Sequence, residues 1–357
     1  MNIEKVVTKY MEIIKSDTFA KYEKEFAQRI CSALSKGYLR KLPEPPLVQI
    51  IENVVNGVHN LTMKDDKTYF ELLTRSIFIH GNKSQVEFDY YGQNMQGEFG
   101  DLIFIISVVF NGWKYFEKLT INQFKKDKRG SMSISWSIDN RGQLYLLSRF
   151  PTFRGVKGLI PKKESTLPNY SGCLGSYGLI YKPGDFAFVS ATALDSFMGQ
   201  KNTLKKGELY LLTYKSKKYP FFFPYFYPDI NELLYLIDKF YRRYGFKWYF
   251  LWNIFDNYHY AYNTFDFTHK YLTMGIGEPL FMKIGIDNLH ARNFLHEFLS
   301  AIRIKVREER DVLNFMDGFF RYRYAGNGGE GGFRQNIEFD FEGGGIGVIH
   351  TIINLGE

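Results

Sequence analysis

Cysteine is scarce in this sequence: Cys31 and Cys173 are the two among 357 residues, and they lie far apart without a CxxC spacing. A disulfide framework needs several cysteines at suitable spacings, and a structural zinc site needs clustered cysteine or histidine ligands. The sequence therefore predicts neither kind of cross-link. We expect a reducing, cytoplasmic setting.

Long apolar runs are absent as well. A membrane-spanning helix needs about 18 consecutive apolar residues, and no segment reaches that length. The first residues, MNIEKVVTKYMEIIK, mix charges into a helical apolar pattern, whereas a secretory signal needs an uninterrupted apolar core. We expect an unexported chain without membrane contact.

The remaining composition is that of a folded protein, with 45% hydrophobic and 24% charged residues. The net charge of +8 makes a polyanion the first partner to consider, because Lys and Arg neutralise phosphates. The alternative is that each basic cluster is simply a solvated face. The main clusters are Lys125, Lys126, Lys128 and Arg129; Lys201, Lys205, Lys206, Lys215, Lys217 and Lys218; and Arg242, Arg243 and Lys247.

The order of secondary structure changes along the chain. Apolar residues recur at helical spacing in 19–34, prolines from Pro43 to Pro46 end that unit, and a third helix follows over 47–58. Beyond residue 69, short segments rich in Val, Ile, Phe and Tyr predict strands. These strands are 85–90, 101–110, 115–125, 143–148 and 186–191. Asn111-Gly112 predicts a two-residue turn that joins two of them into an antiparallel hairpin.

The last third of the chain combines aromatic, helical and glycine-rich segments. Residues 219–262 are dense in aromatic side chains, which either fill a core or stack unpaired bases. A helix is predicted over 287–314, with Asp287 as its cap. The glycine-rich tail lacks the motif of a phosphate loop, so it predicts turns between strands 336–341 and 346–354.

The hairpin carries the residues that suit chemistry. Asp101 precedes the apolar run of the first strand, and Gln123 and Lys125 point to one face of the second, because side chains alternate. With Asn111 and Gly112 at the turn, positions whose numbers sum to about 223 face each other. Asp101 is therefore expected near Asn122 and Gln123, within reach of one shared ion.

This arrangement resembles the PD-(D/E)XK phosphodiesterase superfamily, over about residues 85–155. In that family an Asp begins the second core strand, and the next strand carries an acidic residue, one spacer and a Lys. Here Asp101 matches the Asp, Gln123 takes the acidic position and Lys125 matches the Lys, while Gly100 replaces the family's proline. The resemblance implies an α/β fold of the restriction-endonuclease type, a mixed sheet flanked by helices. From the change of pattern along the chain we expect three regions: a helical N-terminal region (1–65), a nuclease-like core (66–215) and an aromatic-rich C-terminal region (216–357).

The resemblance also implies a divalent metal ion, Mg²⁺ with Mn²⁺ as the alternative. Such an ion takes oxygen ligands, which the side chains of Asp101 and Gln123 and a backbone carbonyl of Phe124 supply. Glu98 is a second-tier ligand, because Gly97 and Gly100 loosen the strand around it. The third predicted helix contributes Glu52 as a candidate. Glu117 shares the face of Gln123 but lies roughly 20 Å along the strand, too far to touch the same ion.

Other chemistries find little support. His290 and His296 are six positions apart, on different sides of a helix, and the sequence contains neither HExxH nor GxSxG. Cys173 lies in a Gly/Ser-rich loop, where it is either a nucleophile or an incidental cysteine.

The sequence therefore predicts a metal-dependent nuclease that cleaves DNA, in a bacterial restriction or anti-phage setting that rests on the resemblance alone. We expect a homodimer, and a defence system could supply a partner subunit. Two alternatives stay open. One is a catalytically degenerate nuclease fold that binds DNA or acts as a scaffold, and the other is a protein-interaction module without nucleic-acid activity.

Overall fold

The computed structural model describes residues 3–64, 68–80, 84–128, 133–157, 159–209, 257–283, 286–305, 310–325 and 345–356. Its helices are α1 (Ile3–Ile14), α2 (Asp17–Leu39), α3 (Glu44–Val55), α4 (Arg141–Arg149), α5 (Ala191–Met198), α6 (Thr264–Leu272), α7 (Leu289–Lys305) and α8 (Arg310–Phe320). Its first strands are β1 (His59–Lys64), β2 (Thr68–His80), β3 (Gln85–Tyr90), β4 (Gln93–Glu98), β5 (Leu102–Phe110), β6 (Trp113–Lys126), β7 (Ser135–Ser137) and β8 (Phe153–Lys157). The others are β9 (Gly175–Tyr181), β10 (Asp185–Ser190), β11 (Thr203–Lys205), β12 (Tyr260–Ala261), β13 (Glu278–Met282), β14 (Ile286–Asp287), β15 (Arg323–Tyr324) and β16 (Gly345–Asn354).

One large mixed sheet organises the described residues. Its strand order is β1-β2-β16-β5-β6-β9-β10-β12, with β13 and β15 pairing to β6 and β14 to β13. Strand β16 runs antiparallel to β2 and parallel to β5, and β6 runs parallel to β9. Small separate sheets are formed by β4-β3-β8 and by β11-β7. A mixed sheet flanked by helices confirms the predicted α/β class.

Helices cover both faces of this sheet because side chains alternate along its buried strands. On β5, Leu102 and Phe104 pack into a core with α1, α2, α3 and α6. Ile103 and Ile105, on the opposite face, pack into a core with α4, α5, α7 and α8. The hairpin therefore lies in the middle of a three-layer structure.

The three helices predicted in the N-terminal part of the chain are present, as α1, α2 and α3. The side-chain oxygen of Ser16 accepts a hydrogen bond from the backbone N–H of Phe19 at 3.2 Å and so caps α2. Helix α2 ends at Leu39, before the prolines, as predicted. Helix α3 begins at Glu44, earlier than expected, because prolines at its first positions lack only N–H groups that a helix start leaves unpaired anyway.

The central hairpin is confirmed. Strands β5 and β6 pair antiparallel, and both turn residues have positive φ, 49° at Asn111 and 74° at Gly112. A register shift between Val108 and Val109 moves the pairing by one residue, so that Leu102 faces Asn122. The strands predicted over 85–90, 186–191 and 346–354 are also present, as β3, β10 and β16.

The strand predicted over 143–148 is wrong: this segment is helix α4. Asn140 caps it by accepting the N–H of Gln143 at 2.9 Å, and its buried residues include Leu144 and Leu147 at helical spacing. A short run of apolar residues fits either period, and here the cap and the crossover between the parallel strands β6 and β9 require a helix.

The C-terminal helix also needs a correction. Helix α7 starts at Leu289, and its first-turn N–H at Ala291 donates to Asn288 Oδ1 at 3.0 Å, so Asn288 and not Asp287 is the cap. Asp287 ends β14 and pairs with Arg292 at 2.9 Å. Helix α8 covers the later part of the predicted helix, and residues 306–309 between the two lie outside the described residues.

Strands from all three predicted regions join the same sheet: β1 precedes residue 66, and β12 to β16 follow residue 216. The region boundaries stay predictions. Neither Cys31 nor Cys173 forms a disulfide. Within the described ranges, no helix combines the length and apolarity needed to cross a membrane.

Candidate active site

The predicted residues lie where the start of β5 meets the end of β6. The backbone N–H of Asp101 donates to the carbonyl oxygen of Asn122 at 2.9 Å and extends the ladder by one residue. Gly100 precedes it with φ of 152°, and a Cβ there would lie 2.8 Å from Cγ2 of Ile121. Glycine at this position therefore allows the chain to approach β6 closely.

Asp101 and Gln123 are in direct contact. Nε2 of Gln123 donates to Oδ2 of Asp101 at 2.7 Å, and the backbone N–H of Phe124 donates to the same oxygen at 2.7 Å. The same Nε2 lies 3.5 Å from the carbonyl oxygen of Phe124. Gln123 is almost fully buried, whereas Asp101 keeps partial solvent exposure. The prediction that Asp101 and Gln123 lie close together is confirmed.

Burial raises the pKa of the Asp101 carboxyl to about 7. The N–H of Phe124 and the positive charge of Lys125 lower it, while the negative charges of Glu44 and Glu98 raise it. The carboxyl is thus a group that protonates near neutral pH and that an additional cation would hold ionised. Such a shift is common at functional sites, although structural networks produce it too.

Lys125 is near this carboxyl but paired elsewhere. Its Nζ lies 3.7 Å from Oε1 of Glu44, and the backbone N–H of Lys126 donates to the other oxygen of Glu44 at 2.7 Å. Glu44 therefore holds the end of β6 from the first turn of α3. The ammonium of Lys125 is partly exposed and influences Asp101 through space rather than through a hydrogen bond.

The carboxylate and carbonyl oxygens at this strand end are of the kind that a hard divalent cation binds. The carboxylate of Asp101, the carbonyl of Phe124 and the amide of Gln123 converge, and Glu98 and Glu44 add negative charge nearby. Mg²⁺ and Mn²⁺ take oxygen ligands of this kind. Gln123, however, presents its nitrogen to Asp101, so its oxygen reaches a shared cation only after the amide rotates. No cluster of three His, Cys, Asp or Glu side chains suited to a metal occurs in the described part of the chain.

Two side chains at the site escaped the sequence prediction. Gln143 of α4 donates from Nε2 to Oε1 of Gln123 at 2.5 Å, and Glu44 pairs with Lys125. The Asn140 cap before an apolar helical pattern was the local signal that could have identified helix α4, although not the contact that Gln143 makes with Gln123. Nothing in the local sequence distinguishes Glu44 from an ordinary helix-start carboxylate.

Glu52, the carboxylate predicted from the third helix, lies on the opposite face of the sheet. Its side chain is 6% exposed, and its Cγ lies 3.4 Å from the Cβ position of Gly347. Burial raises its pKa to about 7. The structure brings the helix carboxylate Glu44, rather than Glu52, next to the predicted lysine.

Glu117 belongs to a different, fully buried network, as its separation from Gln123 predicted. Its Oε1 accepts from Lys114 Nζ at 2.7 Å and from Ser107 Oγ at 2.8 Å, and its other oxygen accepts from the hydroxyl of Tyr324. Ser107 also contacts Nε2 of His350 at 2.8 Å. Every charge here has a partner and none is open to solvent, which makes the network a structural one.

The remaining candidates are Cys173, His290 and His296, of which Cys173 and His296 make other contacts. Cys173 is fully buried, with its Sγ 3.6 Å from Nδ1 of His259, and Ser190 Oγ lies 2.8 Å from the same nitrogen. Burial lowers the pKa of His259 to about 4, so the imidazole is neutral at pH 7. His290 is exposed and His296 packs against the rings of α8, so they do not act together.

Most of the aromatic segment 219–262 lies outside the described residues, as do Arg129 and the basic residues 215–218 and 242–247. Comparison with protein-family models, with curated proteins and with solved structures finds no match to this chain. What the site does must therefore be inferred from its own geometry.

Proposed function

We propose that this chain is a metal-dependent nuclease that hydrolyses DNA phosphodiester bonds, with Asp101, Gln123 and Lys125 at its active site. The contact of 2.7 Å between Gln123 and Asp101, at the strand end beside Lys125, carries this proposal. Its setting in restriction or anti-phage defence, as a homodimer or with a partner subunit, follows from the resemblance to the PD-(D/E)XK superfamily.

Each residue has a role that its chemistry suits. A divalent cation, when bound, polarises the scissile phosphate and lowers the pKa of a coordinated water. Asp101 supplies a carboxylate oxygen to hold it, and Gln123 and the carbonyl of Phe124 supply neutral oxygens. When a phosphate replaces Glu44 as the partner of the Lys125 ammonium, Lys125 stabilises the negative charge that develops on that phosphate. Glu98 supplies a further negative charge, which compensates in part for the neutral Gln123.

A second candidate is a degenerate nuclease fold that binds DNA without cutting it. The network favours it in one respect: the amide of Gln123 is satisfied at both ends by Asp101 and Gln143, and Lys125 is paired with Glu44. A site closed in this way persists without a cation. The protein-interaction module remains the alternative from another class.

Plasmid cleavage with Mg²⁺ or Mn²⁺ separates these functions. We expect cleavage by the wild-type chain and a loss of roughly 100-fold or more in Asp101→Asn and Lys125→Ala, because each removes charge that acts on the transition state. The matched controls are Asp89→Asn and Lys162→Ala, which change the same residue types on exposed positions outside the site and outside the basic clusters.

Salt-sensitive DNA binding without cleavage by the wild-type chain would contradict the nuclease and support the degenerate form. If the wild-type chain neither binds nor cleaves DNA, the result supports the protein-interaction module. Equal activity of Asp101→Asn and Asp89→Asn would move the active site away from this hairpin.

A further inference from the structure

Gln143 has a fixed position beside the candidate site. It lies in the first turn of α4, is 3% exposed, and its backbone N–H is held by the Asn140 cap. Its Nε2 donates to Oε1 of Gln123 at 2.5 Å and lies 3.5 Å from the carbonyl oxygen of Glu98. The side-chain amides of Gln143 and Gln123 thus form a chain that leads to Asp101.

The surrounding acceptors determine the orientation of both amides. An ionised Asp101 and the carbonyl of Phe124 only accept hydrogen bonds, so Gln123 must turn its Nε2 toward them. Its Oε1 then faces Gln143, which must offer its own Nε2. The arrangement is self-consistent, and it leaves neither amide free to reverse alone.

A hard cation needs the opposite orientation of Gln123. Such a cation binds oxygen, whereas the nitrogen of Gln123 now contacts both Asp101 and the carbonyl of Phe124. Rotation of Gln123 brings its oxygen to the cation and turns its Nε2 toward Gln143. Because this end of Gln123 is buried, an unpaired N–H there is costly, and Gln143 must then present its oxygen.

We propose that Gln143 is a positioning residue that sets which end of the Gln123 amide faces Asp101, and that both amides rotate together when a cation binds. The inference rests on the proposed function for the identity of the ligand. Its basis is the pair of contacts that Gln123 makes with Gln143 and Asp101. It makes cation binding depend on a side chain that does not itself touch the cation.

Two substitutions bias the amide pair in opposite directions. Gln143→Glu can only accept, so it draws Nε2 of Gln123 toward itself, while Gln143→Lys can only donate and holds the present orientation. Because both also change charge, the matched controls are Gln96→Glu and Gln96→Lys, at an exposed position of β4. Mg²⁺ titration calorimetry on the full chain measures the affinity. We expect Gln143→Glu to bind about tenfold more tightly than Gln96→Glu, and Gln143→Lys about tenfold more weakly than Gln96→Lys.

A second readout needs no bound metal. In the present structure the side-chain N–H₂ of Gln123 and the backbone N–H of Phe124 meet at one oxygen, so an NMR cross-peak connects their protons. Labelled glutamine gives this signal, and Gln123→Glu identifies it by its loss. We expect the cross-peak in the metal-free wild type, its loss in metal-free Gln143→Glu, and its loss in the wild type at saturating Mg²⁺.

The proposal is overturned if the cross-peak persists in metal-free Gln143→Glu, or if the Gln143 and Gln96 variants bind Mg²⁺ alike. If the wild type binds no Mg²⁺, the proposed function fails, while the metal-free spectra still decide whether Gln143 orients Gln123. If Gln143→Lys does not fold in a thermal melt, Gln143→Glu alone decides the outcome.

Discussion

A carboxamide at position 123 changes what the strand end can do. An acidic residue there would only accept hydrogen bonds and would repel Asp101, whereas Gln123 donates to Asp101 and lets the two side chains pack at 2.7 Å. The contact between them was predictable because a two-residue turn sets the register of the hairpin. Gln143 and Glu44 were not, because they come from other elements and their contacts depend on tertiary packing.

Lys114, unlike Gln123, lies away from the candidate site, and its charge stabilises the buried core. Its ammonium is almost fully buried, donates to Glu117 at 2.7 Å and lies 4.0 Å from the ring centre of Phe319. The positive charge of Lys114, together with the hydroxyl of Tyr324, lowers the pKa of Glu117 to about 2 against the effect of burial, which raises it. Either charge would destabilise the core if its partner were removed.

Lys114→Met is expected to lower the free energy of unfolding by about 3–5 kcal/mol, because it leaves an uncompensated buried carboxylate. Urea denaturation at pH 7 measures this loss. The double variant Lys114→Met/Glu117→Gln should recover part of it, and the exposed Lys128→Met should lie within about 0.5 kcal/mol of wild type. A single variant no worse than the double would contradict the pairing.

At the scale of elements, the crossover from β6 through α4 to β9 determines where the site residues meet. The start of β9 approaches the helix backbone closely: a Cβ on Gly175 would overlap with the carbonyl oxygen of Leu147. The short apolar run of α4 did not reveal its helical period from sequence alone. The close packing of α4 against the sheet was even less predictable, because it depends on Gly175, more than twenty positions after the helix.

Gly175→Ala is expected to displace α4 and to destabilise the fold by about 2 kcal/mol, since the new methyl group meets backbone rather than a flexible side chain. It should also weaken Mg²⁺ binding, because Gln143 moves with the helix. Thermal denaturation and Mg²⁺ titration measure the two effects. Gly207→Ala is the control, since nothing lies within 4 Å of its Cβ position. Equal melting temperatures for the two variants would contradict this view of the packing.

Across the whole molecule, local elements were more predictable than their assembly. The helices before residue 60 and the β5-β6 hairpin follow from apolar spacing and turn residues, which act over a few positions. The insertion of β16 between β2 and β5 does not, because Ile349 pairs with Phe104 and Ser76 through contacts of long range in sequence. The mixed sheet was predicted as a class, and its strand order was not.

Buried carboxyl groups give the molecule a characteristic pH dependence. Burial raises the pKa of Glu52, Asp101 and Glu278 to about 7, so the folded chain holds protons that the unfolded chain releases near pH 4. Their stabilisation is complete at low pH and is lost as the pH rises through 7. His259 and His350 act in the opposite sense, because burial lowers their pKa values, to about 4 and about 3, but their effect ends above about pH 7.

The free energy of unfolding is therefore expected to fall by about 2 kcal/mol from pH 6 to pH 8. Urea denaturation across this range measures it. Glu52→Gln should make the profile flatter, because glutamine fills the same space without a proton to lose. A stability that rises from pH 6 to pH 8 would show that these carboxyls are ionised in the folded chain.

Ser107 and His350 touch across 243 positions of the chain, at the seam between β5 and β16. During translation, β2 and β5 leave the ribosome before β16, the strand that lies between them in the sheet, has been made. Strands β2 and β5 then have unpaired edges until β16 is made, and strand pairing between segments so far apart in the sequence is intrinsically slow. The nascent chain should depend on chaperones that shield strand edges until β16 has left the ribosome.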